Sequence, residues 1–218
     1  MKNMDLINPI VEQYAEGMTS RENDLLSEID KQTNETHAHP HMLSGHVQGR
    51  FLSMLSQLLR PRYILEIGTF TGYSALCMAE GLTTDGELHT IDIREEDVNL
   101  SRSYFDESKY AKQIISHTGN ALEIIPLLNR PWDLVFIDAD KVNYINYYNL
   151  VLDSLSENGC ILADNVLFHG QIFEDPTKGK SAIAIKEFND YVKNDPRTTQ
   201  VLITVRDGLL LIKKNKNA

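Results

Sequence analysis

Tyr63-Ile64-Leu65-Glu66-Ile67-Gly68-Thr69-Phe70-Thr71-Gly72-Tyr73-Ser74 carries the chain from one kind of structure to another. Its first five residues form a short run of branched apolar side chains that reads as a strand ending at Gly68. Gly68 and Gly72 let the backbone turn sharply and approach a ligand closely. A helix follows from Thr71 to Gly81. Strand, glycine turn and helix together open an α/β fold, in which ligands lie beyond the carboxyl ends of the strands.

Downstream the alternation continues. Strands are expected over Glu87–Ile93, Gln113–His117, Asp133–Ile137 and Gly159–Ala163. Helices are expected over Glu95–Glu107, Ala121–Leu128, Asn143–Leu155 and Ser181–Val192. This pattern implies a mostly parallel sheet covered on both faces. Thr199–Val205 and Leu209–Lys213, around Asp207-Gly208, read as two strands joined by a tight turn, placing an antiparallel hairpin at one edge of a seven-stranded sheet. No internal repeat, low-complexity tract or linker interrupts the chain. Residues 1–218 therefore read as one domain, with a core over 61–218.

Upstream, residues 1–60 read as a helical extension, a lid or a dimer surface. Ile7, Ile10, Val11 and Tyr14 recur at spacings of three and four. Arg21–Gln32 carries Leu25, Leu26 and Ile29 on one side, and Thr33–Pro40 reads as a polar loop. Ser44 is placed to cap a third helix whose apolar face is Val47, Phe51, Met54, Leu55 and Leu58, with Pro61 as its stop.

The 218 residues carry a net charge of -10, which repels a polyanion and speaks against nucleic acid as the partner. No apolar run approaches the roughly 20 residues of a membrane span, and the N-terminus lacks the apolar core of a secretory signal. Cys77 and Cys160 lie in apolar stretches without ligand spacing, as reduced core cysteines do in a cytoplasmic protein.

Three constellations fall at strand ends. The glycine turn has Gly-x-x-x-Gly spacing, not the Gly-x-Gly-x-x-Gly that makes room for a pyrophosphate. Glu66 before it suits a cationic group better than a phosphate. The plain alternative is a simple strand-helix turn. Asp92, one βα unit later, is placed to accept hydrogen bonds from ribose hydroxyls; the alternative is an acid favouring the first turn of a helix. Asp138 ends one apolar strand and Asp164-Asn165 ends the next. Two carboxylates and an amide oxygen suit Mg²⁺, Mn²⁺ or Ca²⁺, against the alternative of two helix caps. Lys141 beside such a cation has its ammonium form disfavoured and can serve as a general base; without a metal it is a surface lysine. His37, His39 and His41 lie in a polar loop without zinc-site spacing, which favours a lid role over metal binding. Tyr144, Tyr147 and Tyr148 read as core or interface.

The ordered set Leu65-Glu66-Ile67-Gly68-Thr69-Phe70-Thr71-Gly72-Tyr73-Ser74, Ile91-Asp92, Gly119-Asn120-Ala121, Phe136-Ile137-Asp138-Ala139-Asp140-Lys141-Val142-Asn143-Tyr144, Asp164-Asn165-Val166-Leu167-Phe168-His169-Gly170 and Arg206-Asp207-Gly208-Leu209 resembles the cation-dependent class I O-methyltransferases, the family of catechol and caffeoyl-CoA O-methyltransferases. The resemblance runs from about Met42 to the C-terminus. It implies a Rossmann-like class I methyltransferase fold and a homodimer. It also implies that Asp138, Asp164 and Asn165 hold a divalent metal and that Lys141 takes the proton of the reacting hydroxyl. Leu43, Ser44, Glu66, Gly68, Thr69, Ser74, Asp92, Ala121, Asp138 and Asp140 would then surround S-adenosylmethionine, with the backbone at Leu43 and Ser44 closing over its methionine end. Asn120 stands where many relatives have an acid, and Phe168 where many have tryptophan. The implied reaction is methylation of a small vicinal diphenol. Three alternatives stand beside it: methylation of a hydroxylated uridine in transfer RNA, which the charge opposes; a nicotinamide-dependent dehydrogenase, which the glycine spacing opposes; and a non-catalytic adenosyl-binding module.

Overall fold

The computed structural model describes residues 6–216. Seven strands form the sheet: β1 (Tyr63–Ile67), β2 (Glu87–Asp92), β3 (Ile114–Thr118), β4 (Trp132–Ile137), β5 (Leu155–Asp164), β6 (Thr198–Ile203) and β7 (Leu209–Lys214). Their spatial order is β3-β2-β1-β4-β5-β7-β6. β1 to β5 pair in parallel, while β7 runs antiparallel to both of its neighbours, β5 and β6. The expected edge hairpin is thus present, with β7 as its inner strand.

Among the described residues eight α-helices accompany the sheet: α1 (Pro9–Met18), α2 (Asp24–Thr36), α3 (His46–Leu59), α4 (Tyr73–Ala79), α5 (Glu95–Glu107), α6 (Ala121–Leu128), α7 (Tyr144–Leu152) and α8 (Lys180–Lys193). The period-2 alternation of the strands sorts the core into two layers. Leu65, Ile67, Val135 and Ile137 pack under α6, α7 and α8 with Tyr144, Tyr148 and Phe188. Ile64, Leu134, Phe136 and Leu162 face the opposite way, under residues of α2 to α5 such as Leu26, Leu52, Leu76 and Phe105.

Several boundaries differ from expectation. The helix read over Asn143–Leu155 stops at Leu152, because Leu155 pairs with Trp132 and opens β5. The loop read from Thr33 begins only at His37, because Thr33 faces inward and donates to the Thr71 hydroxyl at 3.1 Å. Ser44 does not cap α3; Gly45 precedes that helix and Ser44 is buried against the cleft described below.

The largest departure is the orientation of α3. Its expected apolar face contains Met54 and Leu58, which are 64% and 77% exposed. Phe51 and Leu55 of that face pack half-buried against the core, and the fully buried residues are Gln48, Gly49, Leu52, Ser53 and Ser56. Small residues let α3 lie close on α4: a Cβ at Gly49 would stand 2.5 Å from the Tyr73 ring, and Ser56 Oγ donates to the Met78 carbonyl at 2.6 Å. On α1 the residues Ile10, Val11, Tyr14 and Met18 are likewise exposed. Cys77 and Cys160 are buried free thiols. Among the described residues no helix is long and apolar enough to cross a membrane.

Candidate active site

The strand order reverses between β1 and β4, and at such a switch point the loops above the sheet diverge and leave a crevice. A cleft of about 1350 Å³ lies there. The parallel register sets its floor. Ile67 pairs with Ile137 and Ile137 with Ala163, so the turn at Gly68, the acid Asp138 and the acid Asp164 emerge side by side. Gly68 has φ 101°, and a Cβ there would overlap the Asp138 carbonyl, so only glycine brings the turn this close to β4.

Asp92 organises that turn. Its Oδ2 accepts the backbone N–H groups of Thr69 (3.1 Å) and Phe70 (3.0 Å), and its Oδ1 accepts that of Arg94 (3.0 Å). The carboxylate is thus held rigidly at the cleft wall. Glu66 lies one layer deeper, without solvent exposure. Its Oε1 accepts Ser74 Oγ at 2.6 Å and its Oε2 accepts Thr90 Oγ1 at 2.5 Å. Because the Thr90 proton points to Glu66, the Thr69 hydroxyl 2.5 Å away donates to Thr90. Burial pushes the Glu66 carboxyl up to about 8, against the lowering effect of Ser74 and Thr90.

At the other wall, Lys141 Nζ donates to Asp138 Oδ1 (2.9 Å), Asn165 Oδ1 (2.7 Å) and Tyr144 Oη (2.7 Å). The Tyr144 hydroxyl also lies 3.0 Å from the Asp164 carbonyl and 3.2 Å from that of Ile137, so it ties the ends of β4 and β5 together beneath the lysine. Asp140 accepts the Tyr147 hydroxyl at 2.5 Å. All three tyrosines of α7 are core residues, as expected, and the hydroxyls of Tyr144 and Tyr147 serve the cleft.

The set Asp138, Asp164 and Asn165 fits a hard divalent cation. Its donors are all oxygen. Asp164 is fully buried, and its carboxyl is pushed up first by that burial and then by the charge of Asp138. Among the described residues Lys141 supplies the one positive charge in contact with these acids, bridging Asp138 to Asn165 where a cation would serve the same oxygens. Among the described residues there is no cluster of three or more His, Cys, Asp or Glu side chains arranged to hold a metal; this set reaches three donors only through the amide.

Most of the residues singled out from sequence converge on this cleft: Leu43, Ser44, Gly68, Thr69, Ser74, Asp92, Ala121, Asp138, Asp140, Lys141 and Asn165 all line it. Glu66 and Asp164 do not; each sits behind a lining residue. Asn120, noted above as a departure from the family pattern, caps α6 by accepting the Leu122 N–H at 3.1 Å. Sequence reading missed Thr90, which bonds Glu66, and Gln48, which donates to Asp164 Oδ2 at 2.7 Å. No local pattern marks either. Tyr144 has a weak signal, its spacing of three from Lys141.

Beyond the acids, Asn165, Phe168, His169 and Gly170 all have left-handed backbone, a costly run for non-glycine residues. The Arg206-Asp207-Gly208 turn clasps it: Asp207 Oδ1 accepts the His169 N–H at 2.6 Å, and the Asp207 carbonyl accepts that of Leu167 at 2.9 Å. The N-terminal segment closes the mouth, where Leu6, Ile7, Pro9, Glu12, His41 and Met42 also line the cleft. His37 reaches Asp97 at 3.1 Å and stands edge-on to Phe70, and Arg206 donates to the His41 carbonyl at 2.8 Å. The histidine loop is thereby pinned to the core at both ends.

Comparison with known proteins places this geometry. A family model described as O-methyltransferase matches residues 16–215. Caffeoyl-CoA O-methyltransferase 5 of Nicotiana tabacum is 30% identical over 179 residues, covering 77% of this chain and 75% of that one. A catechol O-methyltransferase of Niastella koreensis is 33% identical over 146 residues, covering 65% of this chain and 66% of that one. The SAH-bound crystal structure of the Podospora anserina methyltransferase PaMTH1 superposes with a TM-score of 0.87 at 28% identity, covering 94% of both chains. The chain belongs to the O-methyltransferase family, the S-adenosylmethionine-dependent enzymes that include the caffeoyl-CoA and catechol O-methyltransferases.

Proposed function

We propose that this enzyme moves the methyl group of S-adenosylmethionine to one hydroxyl of a small vicinal diphenol, with a divalent cation, Mg²⁺, Mn²⁺ or Ca²⁺, held by Asp138, Asp164 and Asn165. The observation that carries the reading is the meeting of two acids, an amide and a lysine at the ends of β4 and β5, directly against the glycine turn after β1. A cation held there would supply Lewis acidity, lowering the pKa of a substrate hydroxyl beside it. Beside that cation the ammonium form of Lys141 would be disfavoured and its hold on Asp138 and Asn165 released, so that the neutral amine would take the proton of that hydroxyl while Tyr144 keeps Nζ in place. The substrate oxygen attacks the sulfonium methyl carbon in line. The new O–CH₃ bond forms as the S–CH₃ bond breaks, and the sulfur leaves as the thioether of S-adenosylhomocysteine. Most of the rate comes from holding the two reactants in register.

On the cofactor side, Asp92 accepts the ribose hydroxyls. Gly68, Thr69 and Ser74 surround the methionine end, with Glu66 behind Ser74. Ala121 and Asp140 complete the wall. Leu43 and Ser44 close over the methionine end, and the segment before residue 60 serves as the lid. A small acceptor is supported by the lining: its Lys and Arg residues are Arg94, Lys141 and Arg206. Arg94 is bound to Asp97 at 2.6 Å and Lys141 to Asp138, so little positive charge is left for a polyanion. The exposed apolar residues of α1 and α3 support a homodimer, and the two buried free thiols suit the cytoplasm.

Incubation with S-adenosylmethionine, Mg²⁺ and a panel of catechols tests the reading. The expected product is heavier than its substrate by one CH₂, and EDTA abolishes it. Cofactor binding without product from any catechol would overturn the small-diphenol assignment and turn attention to larger acceptors, transfer RNA first.

A further inference from the structure

The carboxylate of Asp164 has no access to solvent, so its orientation is set by protein donors. Oδ1 accepts the backbone N–H of Asn165 at 2.7 Å. Oδ2 accepts Nε2 of Gln48, also at 2.7 Å, from a helix 116 residues away in sequence. Gln48 is 1% exposed, and its other amide atom, Oε1, has no hydrogen-bond partner. Turning the amide over would set Oε1 against Oδ2, two acceptors face to face, so the carboxylate dictates the orientation. An unpartnered buried amide oxygen disfavours the folded state, and an apolar side chain of similar size would avoid it. The reason for a carboxamide at this position therefore lies in Asp164 and not in core packing. Its helix is also firmly seated, since the next residue, Gly49, lies against Tyr73 and Ser56 bonds the Met78 carbonyl.

We propose that Gln48 is a positioning residue that orients the Asp164 carboxylate for the divalent cation. The inference rests on the metal reading above and adds a residue from the N-terminal helices to it. Partners of this kind fix the direction in which a ligating group presents its free lone pairs, and removing one weakens metal affinity by roughly 10- to 100-fold.

The test is Mn²⁺ binding by electron paramagnetic resonance to the wild-type protein, Gln48→Leu and Gln48→Met, with S-adenosylhomocysteine affinity and thermal midpoint measured alongside. The expected result is a Kd for Mn²⁺ raised by roughly 10- to 100-fold in both variants. S-adenosylhomocysteine affinity should stay unchanged, and the midpoint should move little, because the orphaned Oε1 and the donor to Asp164 Oδ2 are lost together. Wild-type uptake of Mn²⁺ with unchanged affinity in both variants would overturn the role of Gln48 while leaving the metal site standing. A parallel loss of Mn²⁺, S-adenosylhomocysteine and thermal stability would overturn it as well, by showing a general packing role. No uptake by the wild-type protein would overturn the metal reading itself, and this inference with it.

Discussion

Glu66 shows how much a single carboxyl group can shape the pH response of this enzyme. It is fully buried, and its carboxyl is pushed from 4.5 to about 8, chiefly by loss of water. In the unfolded chain it ionises near its ordinary value. Between those two values the folded protein holds a proton that the unfolded chain has released. Stability therefore falls as pH rises from about 4.5 to about 8, and levels off above. Glu66→Gln removes that dependence, so thermal melts of the variant should show a flatter profile and a higher midpoint than wild type at pH 9. Equal slopes in the two proteins would mean that Glu66 is not the titrating group. From sequence, Glu66 is legible as an acid beside a glycine turn. That it lies behind Ser74 rather than in the cleft is not, because Thr90, which binds it and accepts from Thr69 of the turn after β1, comes from the neighbouring strand β2.

At the scale of the element, α3 is the instructive case. Its sequence offers two faces, and periodicity favours the one bearing Val47, Phe51, Met54, Leu55 and Leu58. The fold buries the smaller one, because close approach to α4 requires glycine and serine where a larger side chain would hold the helices apart. Gly49→Ala sets two effects against each other. Alanine favours a helix interior over glycine by about 1 kcal/mol. Its Cβ, however, would stand 2.5 Å from the ring of Tyr73, a residue 2% exposed whose hydroxyl is bonded to Glu22. Overpacking of that kind costs about 1–3 kcal/mol, so urea unfolding should give a net loss of up to about 2 kcal/mol. A stabilised variant would show that Tyr73 can move aside freely. Strands were the more readable elements: β1 and β4 match their apolar runs closely, since a strand buried on both faces is apolar at most positions.

At the scale of the molecule, the outward apolar faces of α1 and α3 ask for a partner. Ile10, Val11, Tyr14, Met18, Met54 and Leu58 are all exposed on adjacent helices, and such patches mark association surfaces. A second copy covering them would leave the cleft at the sheet end free. Light scattering on the eluting protein should give the mass of a dimer for wild type and of a monomer for Leu58→Glu, with helicity by circular dichroism retained. A monomeric wild type, or a dimeric variant, would remove these helices from the interface.

The sequence by itself determined the class of fold and which residues stand at the strand ends. Alternating apolar runs and helical periods are local properties, and so are a glycine turn and an acid that ends a strand. What only the tertiary structure decided is which groups meet. Gln48 and Asp164, Glu66 and Thr90, and Lys141 and Asn165 are brought together by sheet register and helix packing. Such contacts between distant residues depend on how whole elements are placed, which no pattern along the chain encodes on its own.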